Sequence, residues 1–331
     1  MRHLVSLSLA CLLGSLTALS AHAAVLHVPA QYPTISAAVA AANAGDKIMV
    51  EEGIYANETH TTPIDPTVQV AGINIDKPDL EIVGEEGAIV DGTAFGGASV
   101  IATNGVTVMP LNVTIRGLTI RNFGTGIAEL GPAGTRIQAN TITNCSVGIM
   151  VSSGTEVDSN VPAPARSTVD HNIVTDNGLG LWVSSSQNVN ATHNVVNGNG
   201  EGIAVGEGSI SCTISHNAVC NNQQDGINLS FSTNILVSDN TVDNNGLGYP
   251  AGNSYGIFTA GININTIAMN CMIFNNEVNG NTQDGIFIDS MFSTGNVVTN
   301  NTALHNGIYD IEDQSGGTNV LSRNKFVTSA P

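Results

Sequence analysis

The chain contains 331 residues, with 9 Lys and Arg against 27 Asp and Glu, which gives a formal net charge of −18 at pH 7. A surface this acidic repels polyanions, which argues against nucleic acid and anionic membranes as partners. The same charge argues against long-range attraction of polyanionic polymers such as pectate or alginate, unless a bound cation reverses it locally.

Residues 1–23 have the features of a signal peptide. Arg2 supplies a positive start, residues 4–19 carry no charge, and residues 21–23 (Ala-His-Ala) have the small-x-small form of a cleavage site. No later stretch is long and apolar enough to span a bilayer. We therefore predict a secreted or periplasmic protein whose residues 24–331 form a single domain, without membrane insertion and as a monomer.

A short helix is predicted over residues 33–45, ahead of the regular part of the chain. Thr34 or Ser36 provides an N-cap, an alanine-rich run follows, and Gly45 ends the helix. A helix at this point would cover the open end of a solenoid, whose exposed strand edges otherwise favour aggregation.

Eight asparagines recur in one register along the last two-thirds of the chain. Four of their seven spacings are 22 or 23 residues, and the two long ones, 32 and 36 residues, contain insertions. Each unit carries three short alternating segments that end in polar turns, which is typical of three strands per coil. The eight are Asn140, Asn172, Asn194, Asn217, Asn240, Asn276, Asn301 and Asn324.

This period predicts an all-β fold, a right-handed parallel β-helix with three strands per coil. Coils stacked at about 4.8 Å give every strand a parallel neighbour, and parallel connections are strongly right-handed. Asparagine suits the corners because it tolerates a left-handed backbone and its amide can bond to the asparagine of the next coil. We expect two Asn ladders, the second at Asn177, Asn199, Asn222, Asn245, Asn281 and Asn306.

The four cysteines that follow the signal peptide do not fit a disulfide. Cys212 and Cys271 occupy the same strand position, but the coil between them separates them by about 9–10 Å, beyond disulfide reach. Cys145 replaces an Asn of the second ladder, and Cys220 occupies an outward position. We therefore expect free thiols.

The strand that begins Gly-Ile-x-Val is predicted to carry the binding surface. Residues one and three beyond its Gly point inward, so the residue two beyond should face solvent. Several residues of that column are aromatic, and sugar rings stack on such side chains. Its members are Met150, Trp182, Ala204, Asn228, Phe258, Phe287 and Tyr309. The alternative is that the two long insertions fold over this face and bury the aromatic side chains.

An acidic column precedes the same Gly, where Glu201, Asp225 and Asp284 recur with Tyr255 between the last two, and Asp289 lies on the same face. Asp225 and Asp284 would lie about 9–10 Å apart, which fits the acid and base of an inverting glycosidase. The alternatives are that the acids hold Ca²⁺, or that they are turn residues bonded to local backbone amides.

A third column places His171, His193 and His216 just before the ladder Asn in three successive coils. Imidazoles stacked at about 4.8 Å could converge on one Zn²⁺ or Cu²⁺ ion. A flat ladder holds its members parallel, however, whereas a tetrahedral site needs ligands from different directions. Simple polarity of the corner is the preferred interpretation, since Asn275 and Asn300 occupy the same slot in later coils.

Four segments near the start carry a family resemblance. Residues 32–39 (Tyr-Pro-Thr-Ile-Ser-Ala-Ala-Val) and 44–55 (Ala-Gly-Asp-Lys-Ile-Met-Val-Glu-Glu-Gly-Ile-Tyr), continued by residues 88–92 and 113–122, resemble the pectin lyase-like superfamily of right-handed β-helix proteins. The resemblance implies the fold over nearly all of the mature chain. It does not imply one activity, because the superfamily includes lyases, hydrolases, esterases, epimerases and accessory proteins of copper-site assembly. The motifs of its polygalacturonases, pectin methylesterases and mannuronan epimerases are absent from this sequence.

These patterns favour an exported β-helix protein that binds polysaccharide or oligosaccharide along the Gly-Ile-x-Val face. The more specific hypothesis is hydrolysis of a neutral or weakly charged glycan by a carboxylate pair drawn from Asp225, Asp284 and Asp289. Glu201, Asn228 and the aromatic column would contact the substrate. A Ca²⁺-dependent lyase or epimerase is the alternative enzyme. A non-catalytic scaffold or metal-handling accessory protein is the alternative of another class, favoured by the histidine column.

Overall fold

The computed structural model describes residues 23–61, 69–95, 104–109, 111–131, 134–152, 166–248, 259–289, 292–316 and 318–329. These residues form a right-handed parallel β-helix built from three long parallel sheets, which confirms the predicted fold. Residues 1–22 of the predicted signal peptide lie outside the described residues. Within the described part of the chain, no helix is long and apolar enough to cross a bilayer.

Successive coils contribute strands to the three sheets, whose described strands follow in spatial order. The first sheet contains Val25–Val28, Lys47–Val50, Glu81–Gly84, Thr114–Arg116, Arg136–Gln138, Thr168–Asp170, Asn190–Thr192, Thr213–Ser215, Leu236–Ser238, Met272–Phe274, Val297–Thr299 and Val320–Ser322. The second sheet contains Gly53–Tyr55, Ala88–Asp91, Thr119–Arg121, Thr141–Thr143, Ile173–Thr175, Val195–Asn197, Ala218–Cys220, Thr241–Asp243, Glu277–Asn279 and Thr302–Leu304. The third sheet contains Ile73–Ile75, Asn104–Val108, Thr125–Leu130, Val147–Ser152, Leu179–Ser184, Glu201–Gly206, Ile227–Leu229, Ala260–Ile264, Asp284–Ile288 and Ile311–Asp313.

Smaller elements decorate the corners. Thr59–Thr61 pairs antiparallel with Gln69–Ala71, and Ser232–Thr233 pairs parallel with Ala268–Met269. Gly92–Phe95 forms a 3-10 turn.

The core runs along the axis of the helix. Ile203, Ile227 and Ile262 are register partners in three successive coils, and all three are fully buried. The inward side chains of the three sheets join into one continuous apolar cluster. Because a single coil cannot bury its own apolar face, the stacking of coils is what removes these side chains from water.

The N-terminal helix spans Ile35–Ala41 and begins at the predicted N-cap Thr34, but its C-cap is Ala42 and not the predicted Gly45. The Thr34 hydroxyl accepts the Ala37 N–H at 3.1 Å, and the helix buries Ile35 against the core. The carboxylate of Glu58, which is 1% exposed, accepts the Ile35 N–H at 2.8 Å. The helix therefore covers the first coil, and its free N–H groups are satisfied from the corner that follows the second sheet.

Both predicted Asn ladders are present, and every member except the last of each, Asn306 and Asn324, bonds to the next asparagine in the same way. Asn240 Oδ1 accepts the Asn217 N–H at 2.9 Å and the Asn217 Nδ2 at 3.0 Å, while Asn217 Nδ2 also donates to the Ala191 carbonyl at 3.0 Å. The residue before each ladder Asn adopts a left-handed backbone, for example His216 at φ 58°. Buried corner amides are thereby satisfied from coil to coil.

A third ladder, made of serines, was not predicted. It lies at the corner between the third and first sheets, where Ser209 Oγ accepts the Ser186 N–H at 3.3 Å and Ser293 Oγ accepts the Ala268 N–H at 3.4 Å. Serine is common at turns in general, so its period alone carries less information than that of asparagine. The buried serines at this corner are Ser186, Ser209, Ser232 and Ser293, and the Ser232 hydroxyl has no hydrogen-bond partner among the described residues.

A column of glycines at the start of the third sheet fixes the coil register. A Cβ on Gly202 would lie 2.8 Å from Val219 Cγ1, and a Cβ on Gly261 would lie 2.5 Å from Val278 Cγ1. Neither position has room for a side chain, because the Gly approaches the second sheet of the next coil. In its coil, Gly261 therefore occupies the position that Gly202 occupies in an earlier coil.

The cysteines are free thiols in the described residues, as predicted. Cys145, Cys212 and Cys271 are buried, and burial raises the pKa of each thiol to about 11. These thiols are therefore protonated core or corner side chains rather than nucleophiles.

Candidate functional site

The outer face of the third sheet carries the predicted carboxyl groups. Glu201 and Asp225 precede the column glycines of adjacent coils, and Asn228 and Asn263 are register partners on the same face. Ala260 occupies the equivalent position in the coil after Asp225, and its register partner Asp284 lies one coil further on. We call the surface formed by Glu201, Asp225, Asn228, Asn263 and Asp284 the acidic face.

The register predicted for one coil of this face is wrong. The strand after Ile227–Leu229 is Ala260–Ile264, so Asn263 occupies the slot assigned to Phe258, and Ala260 the slot assigned to Tyr255. Residues 256–258 imitate the Gly-Ile-x pattern, but the packing of Gly261 places the strand five residues later. Phe258 and Tyr255 themselves lie outside the described residues.

The predicted aromatic platform is not a continuous exposed column. Phe287 faces away from the central core but is fully buried, so the prediction that it meets solvent is wrong. Glu312, not Tyr309, is the register partner of Phe287. Trp182 is half-buried beside Met150 and Ala204. The acidic face is therefore lined by oxygen atoms more than by aromatic rings.

Asp225 is held in a nearly inaccessible position by the coil above it. Its Oδ1 accepts the Ala260 N–H at 2.6 Å, and its Oδ2 accepts Asn263 Nδ2 at 3.2 Å. Burial raises the pKa of Asp225 to about 7, and the charge of Glu201 acts in the same direction. Asp225 therefore exchanges its proton near neutral pH.

Glu201 is the more accessible member of this neighbouring pair. It is half-buried, and Asn228 Nδ2 donates to its Oε1 at 3.0 Å. Burial raises the pKa of Glu201, although the hydrogen bond from Asn228 opposes the shift. The charge of Glu201 also disfavours ionisation of Asp225, because two carboxylates at adjacent coils repel each other.

The remaining predicted acids have different surroundings. Asp284 is 1% exposed, and its Oδ1 accepts the Tyr309 N–H at 2.9 Å. Burial raises the pKa of Asp284 to about 6, with a contribution from the charge of Glu312. Asp289 is half-buried, and burial raises its pKa as well. Asp225 and Asp284 thus both accept a backbone N–H of the next coil, whereas the turn-residue alternative predicted bonds to local backbone amides.

Acceptor atoms without a donor are concentrated on the acidic face. Asn228 Oδ1, Asn263 Oδ1 and Asp284 Oδ2 are buried and have no hydrogen-bond partner among the described residues. The described strands of the third sheet contain no Lys or Arg. Hydroxyl donors of a sugar, or a hard cation such as Ca²⁺, are the groups that would satisfy such oxygens.

The histidine column forms a second cluster, on the corner between the first and second sheets. The rings of His171 and His193 stack at 4.8 Å with 13° between their planes, and the His216 ring lies 5.1 Å from that of His193. Asp170, which the sequence reasoning missed, accepts from His171 Nδ1 at 2.7 Å and contacts His193 Nδ1 at 3.2 Å. The imidazoles are parallel, as predicted, but two of them converge on one carboxylate.

This cluster has the donor set of a transition-metal site. One ligand atom each from Asp170, His171 and His193 lies within 4.8 Å of the others, whereas His216 is not part of the group. Burial alone would raise the pKa of Asp170, but hydrogen bonds from Thr192 and from both imidazoles outweigh it and lower the pKa. We call Asp170, His171 and His193 the histidine corner.

Two protein-family models match the chain, each over about half of its length. The right-handed β-helix region matches residues 52–219, and the family described as periplasmic copper-binding protein (NosD) matches residues 165–330. The chain belongs to both families. The acidic face and the histidine corner of this NosD-family β-helix both lie within the second match. A comparison with curated proteins found no significant match.

Solved structures with the same architecture include polysaccharide-processing proteins. The A-module of Azotobacter vinelandii mannuronan C-5 epimerase AlgE4 is 15% identical, covers 85% of this chain and 86% of its own, and has a TM-score of 0.62. The A-module of AlgE6 from the same organism is 14% identical, covers 89% and 93%, and has a TM-score of 0.58. The periplasmic alginate epimerase AlgG, as a double mutant, is 16% identical, covers 86% and 71%, and has a TM-score of 0.57. At these identities the likeness establishes the fold of this β-helix family member and no activity.

Proposed function

We propose that the protein acts outside the cytoplasm, where it binds a neutral or weakly charged polysaccharide on its acidic face and hydrolyses it. The observation that carries this proposal is the Glu201–Asp225 pair, in which Asp225 has a pKa raised to about 7 beside a second, more accessible carboxyl. Carboxyl pairs with displaced pKa values are the usual equipment of glycoside hydrolysis.

The pair assigns distinct roles to its two members. Asp225, protonated near neutral pH, donates its proton to the glycosidic oxygen as the bond to the leaving sugar breaks, once Asn263 Nδ2 has turned away from its Oδ2. Backbone positions on adjacent coils are about 4.8 Å apart, a spacing that allows their carboxyl groups to reach the ~5–5.5 Å separation of a retaining glycosidase. Glu201 then attacks the anomeric carbon, and water, deprotonated by Asp225, releases the glycosyl group. Asp284, two coils from Asp225, is the alternative base of an inverting reaction.

The charge of the chain supports a neutral substrate, in contrast to the substrate of its solved relatives. The solved relatives include epimerases of alginate, a polyanion. The third sheet of this chain offers acceptors and carboxyls but no described Lys or Arg. A uronate chain would therefore be repelled unless Ca²⁺ were bound first, which is the lyase or epimerase alternative.

A polysaccharide panel tests the proposed function. The wild-type protein should release reducing ends from at least one neutral glycan without forming unsaturated products, and added Ca²⁺ or chelator should not change the rate. If the protein instead formed unsaturated products from a uronate polymer, and only when Ca²⁺ was present, it would be a lyase and not a hydrolase. If the protein bound a glycan tightly but formed neither kind of product, it would be a binding protein without catalytic activity on the panel.

A second candidate function, metal handling, is favoured by the histidine corner together with the NosD family. That family is described as copper-binding, and two imidazole nitrogens with one carboxylate suit Cu²⁺ or Zn²⁺. In this candidate, Asp170, His171 and His193 hold the ion on an exposed corner, away from the acidic face.

Metal titration of the matched variants tests the second candidate. Wild-type protein should bind close to one equivalent of Cu²⁺ or Zn²⁺, measured by calorimetry and by metal analysis after dialysis. Asp170→Asn, His171→Ala and His193→Ala should each weaken binding by more than about tenfold, since even outer-shell partners of metal sites are worth that much. His216→Ala is the control and should bind like wild type, because His216 stacks on His193 without joining the donor group. No bound ion, or equal losses in all four variants, would contradict the site.

A further inference from the structure

Three exposed apolar side chains form a line beside the acidic face. Phe231 and Ile267 are neighbours because Ser232 and Ala268 are register partners. Ile267 and Phe292 are neighbours because the next residues, Ala268 and Ser293, are joined through the serine ladder. Phe231, Ile267 and Phe292 are 51%, 36% and 61% exposed. We call this line, which spans three successive coils, the apolar ridge.

The backbone of the ridge is an unusual place for such residues. Phe231 and Ile267 have φ values of 45° and 57°, in the left-handed region that disfavours bulky and especially β-branched side chains. The same slot in the two preceding coils carries Ser185 and Gly208, and other left-handed corners carry residues such as Asn234 and Asn275. Folding alone would be better served by Asn or Gly at these positions. Strain combined with exposed apolar surface is a common mark of a binding site.

The ridge borders the acidic face and is open along the axis of the helix. Phe231 follows Asn228 by three residues, and Phe292 follows Asp289 by three. In the preceding coil the Gly208 N–H donates to the Phe231 carbonyl, and a Cβ added to Gly208 would meet nothing within 4 Å. An extended ligand can therefore lie across the coils, with one edge on the ridge and the other on the acidic face.

We propose that the apolar ridge is a subsite for a neutral, extended β-1,4-linked glycan that runs parallel to the helix axis. This inference rests on the proposed function. Phe231 and Phe292 lie two coils apart, at about 9–10 Å, a spacing comparable to the disaccharide repeat of such a glycan. Their exposed rings suit the C–H faces of sugars. The chain's charge of −18 and the acidic neighbours favour a neutral polymer over a polyanion.

The ridge also gives the unpartnered acceptors a role. Among the described residues, Asn228 Oδ1 and Asn263 Oδ1 have no hydrogen-bond donor, and both residues precede ridge members on the same coils. A sugar stacked on the ridge places its hydroxyls toward this face, and they can donate to those buried oxygens once the two side chains turn toward the sugar. Apolar stacking and hydroxyl recognition then act on opposite edges of one chain, as in other sugar sites that combine aromatic surface with a few polar groups.

Calorimetry with β-1,4-linked oligosaccharides of increasing length tests the ridge. Neutral gluco-, manno- and xylo-oligosaccharides are titrated into the whole protein. For the preferred series, affinity should rise about tenfold once the chain is long enough to reach both rings, and then level off. The Phe231→Ala/Phe292→Ala double variant should lose this rise. Phe326→Ala, which removes a ring that is 44% exposed at the far end of the chain, is the matched control and should retain it.

Activity and oligomeric state separate this inference from the proposed function. The ridge variant should keep its turnover of a short aryl glycoside, whereas Asp225→Asn should lose turnover and keep the length-dependent affinity. If the Asp225→Asn protein remained active and its affinity still rose with glycan length, the proposed chemistry would be contradicted, whereas the ridge proposal would be retained. Unchanged affinity in the ridge variant, or no binding of any neutral β-1,4-linked series by wild type, overturns the ridge. A wild-type dimer that becomes monomeric in the ridge variant, with glycan affinity unchanged, would make the ridge a protein interface instead.

Discussion

Asp225→Asn is expected to reduce glycan turnover by at least about 100-fold, because removal of a general acid commonly costs 10²–10⁴ in rate. The amide keeps the size of the side chain and the acceptor for the Ala260 N–H. Asn263 Oδ1 is free of donors within the described residues, so its amide can rotate to accept the new NH₂ group. Folding and glycan affinity should therefore be preserved, as read from far-ultraviolet circular dichroism and calorimetry.

The matched control is Asp239→Asn, at a corner where Asn275 and Asn300 already occupy the same slot in later coils. This change removes one carboxylate without touching the acidic face, and it should leave turnover unchanged. Glu201→Gln should be nearly as inactive as Asp225→Asn, whereas Asp284→Asn should retain most activity if the retaining pair is correct. If Asp284→Asn lost activity while Glu201→Gln kept full activity, Asp284 and not Glu201 would be the second catalytic carboxyl beside Asp225.

The pH dependence of turnover also tests whether Asp225 is the proton donor. Asp225 must be protonated to act as the acid, and its pKa is raised to about 7, so turnover by wild type should decline as the pH rises above about 7. A rate that kept rising through pH 8 would argue that Asp225 is not the proton donor.

The coil period, the ladders and the capping helix could be predicted because each depends on local chemistry. A corner needs a residue such as Asn140 that tolerates a left-handed backbone and bonds to its neighbour, and that need recurs at every coil. The helix needs only Thr34 and an alanine-rich run. The corner residues therefore repeat in the sequence at the same period as the coils, and the helix is marked by its own local signals.

The register after an insertion could not be predicted in this way. Residues 256–258 and 261–263 both begin Gly-Ile, and nothing local separates them. The choice depends on how closely Gly261 approaches Val278 and Asn281, residues of a later coil. The predicted slots of Phe258 and Tyr255 were therefore wrong, and Asn263 was missed.

The histidine corner and the apolar ridge could not be predicted fully, because both depend on the directions in which side chains point. The His171, His193 and His216 column was visible in the sequence, but its convergence comes from the carboxylate of Asp170, which belongs to the preceding strand. Phe231 and Phe292 had no signal at all, because apolar residues in corners carry no period of their own. The left-handed φ of Phe231 is what makes its exposure informative.

Asp225→Asn is also expected to make the protein more stable than wild type at pH 8, with little difference near pH 4. The pKa of Asp225 is raised from 3.8 to about 7 in the folded state, chiefly by burial. The folded state therefore holds the proton more tightly, and its stability falls as the pH rises from about 4 through 7. At about 1.4 kcal/mol per pKa unit, the penalty above pH 7 amounts to a few kcal/mol, which Asn cannot incur.

Denaturant unfolding of both proteins from pH 4 to pH 8 measures this difference, and Asp91→Asn supplies a control of opposite sign. Burial alone would raise the pKa of Asp91, but hydrogen bonds from Thr93, Asn122 and Arg121 outweigh it and lower the pKa. Asp91 therefore stabilises the fold above its unfolded pKa, and its replacement should be most harmful at neutral pH and lose its effect as the pH falls. A stability gap between Asp225→Asn and wild type that stayed constant from pH 4 to pH 8 would show that Asp225 is ionised in the folded protein, and would remove the basis for its role as the acid.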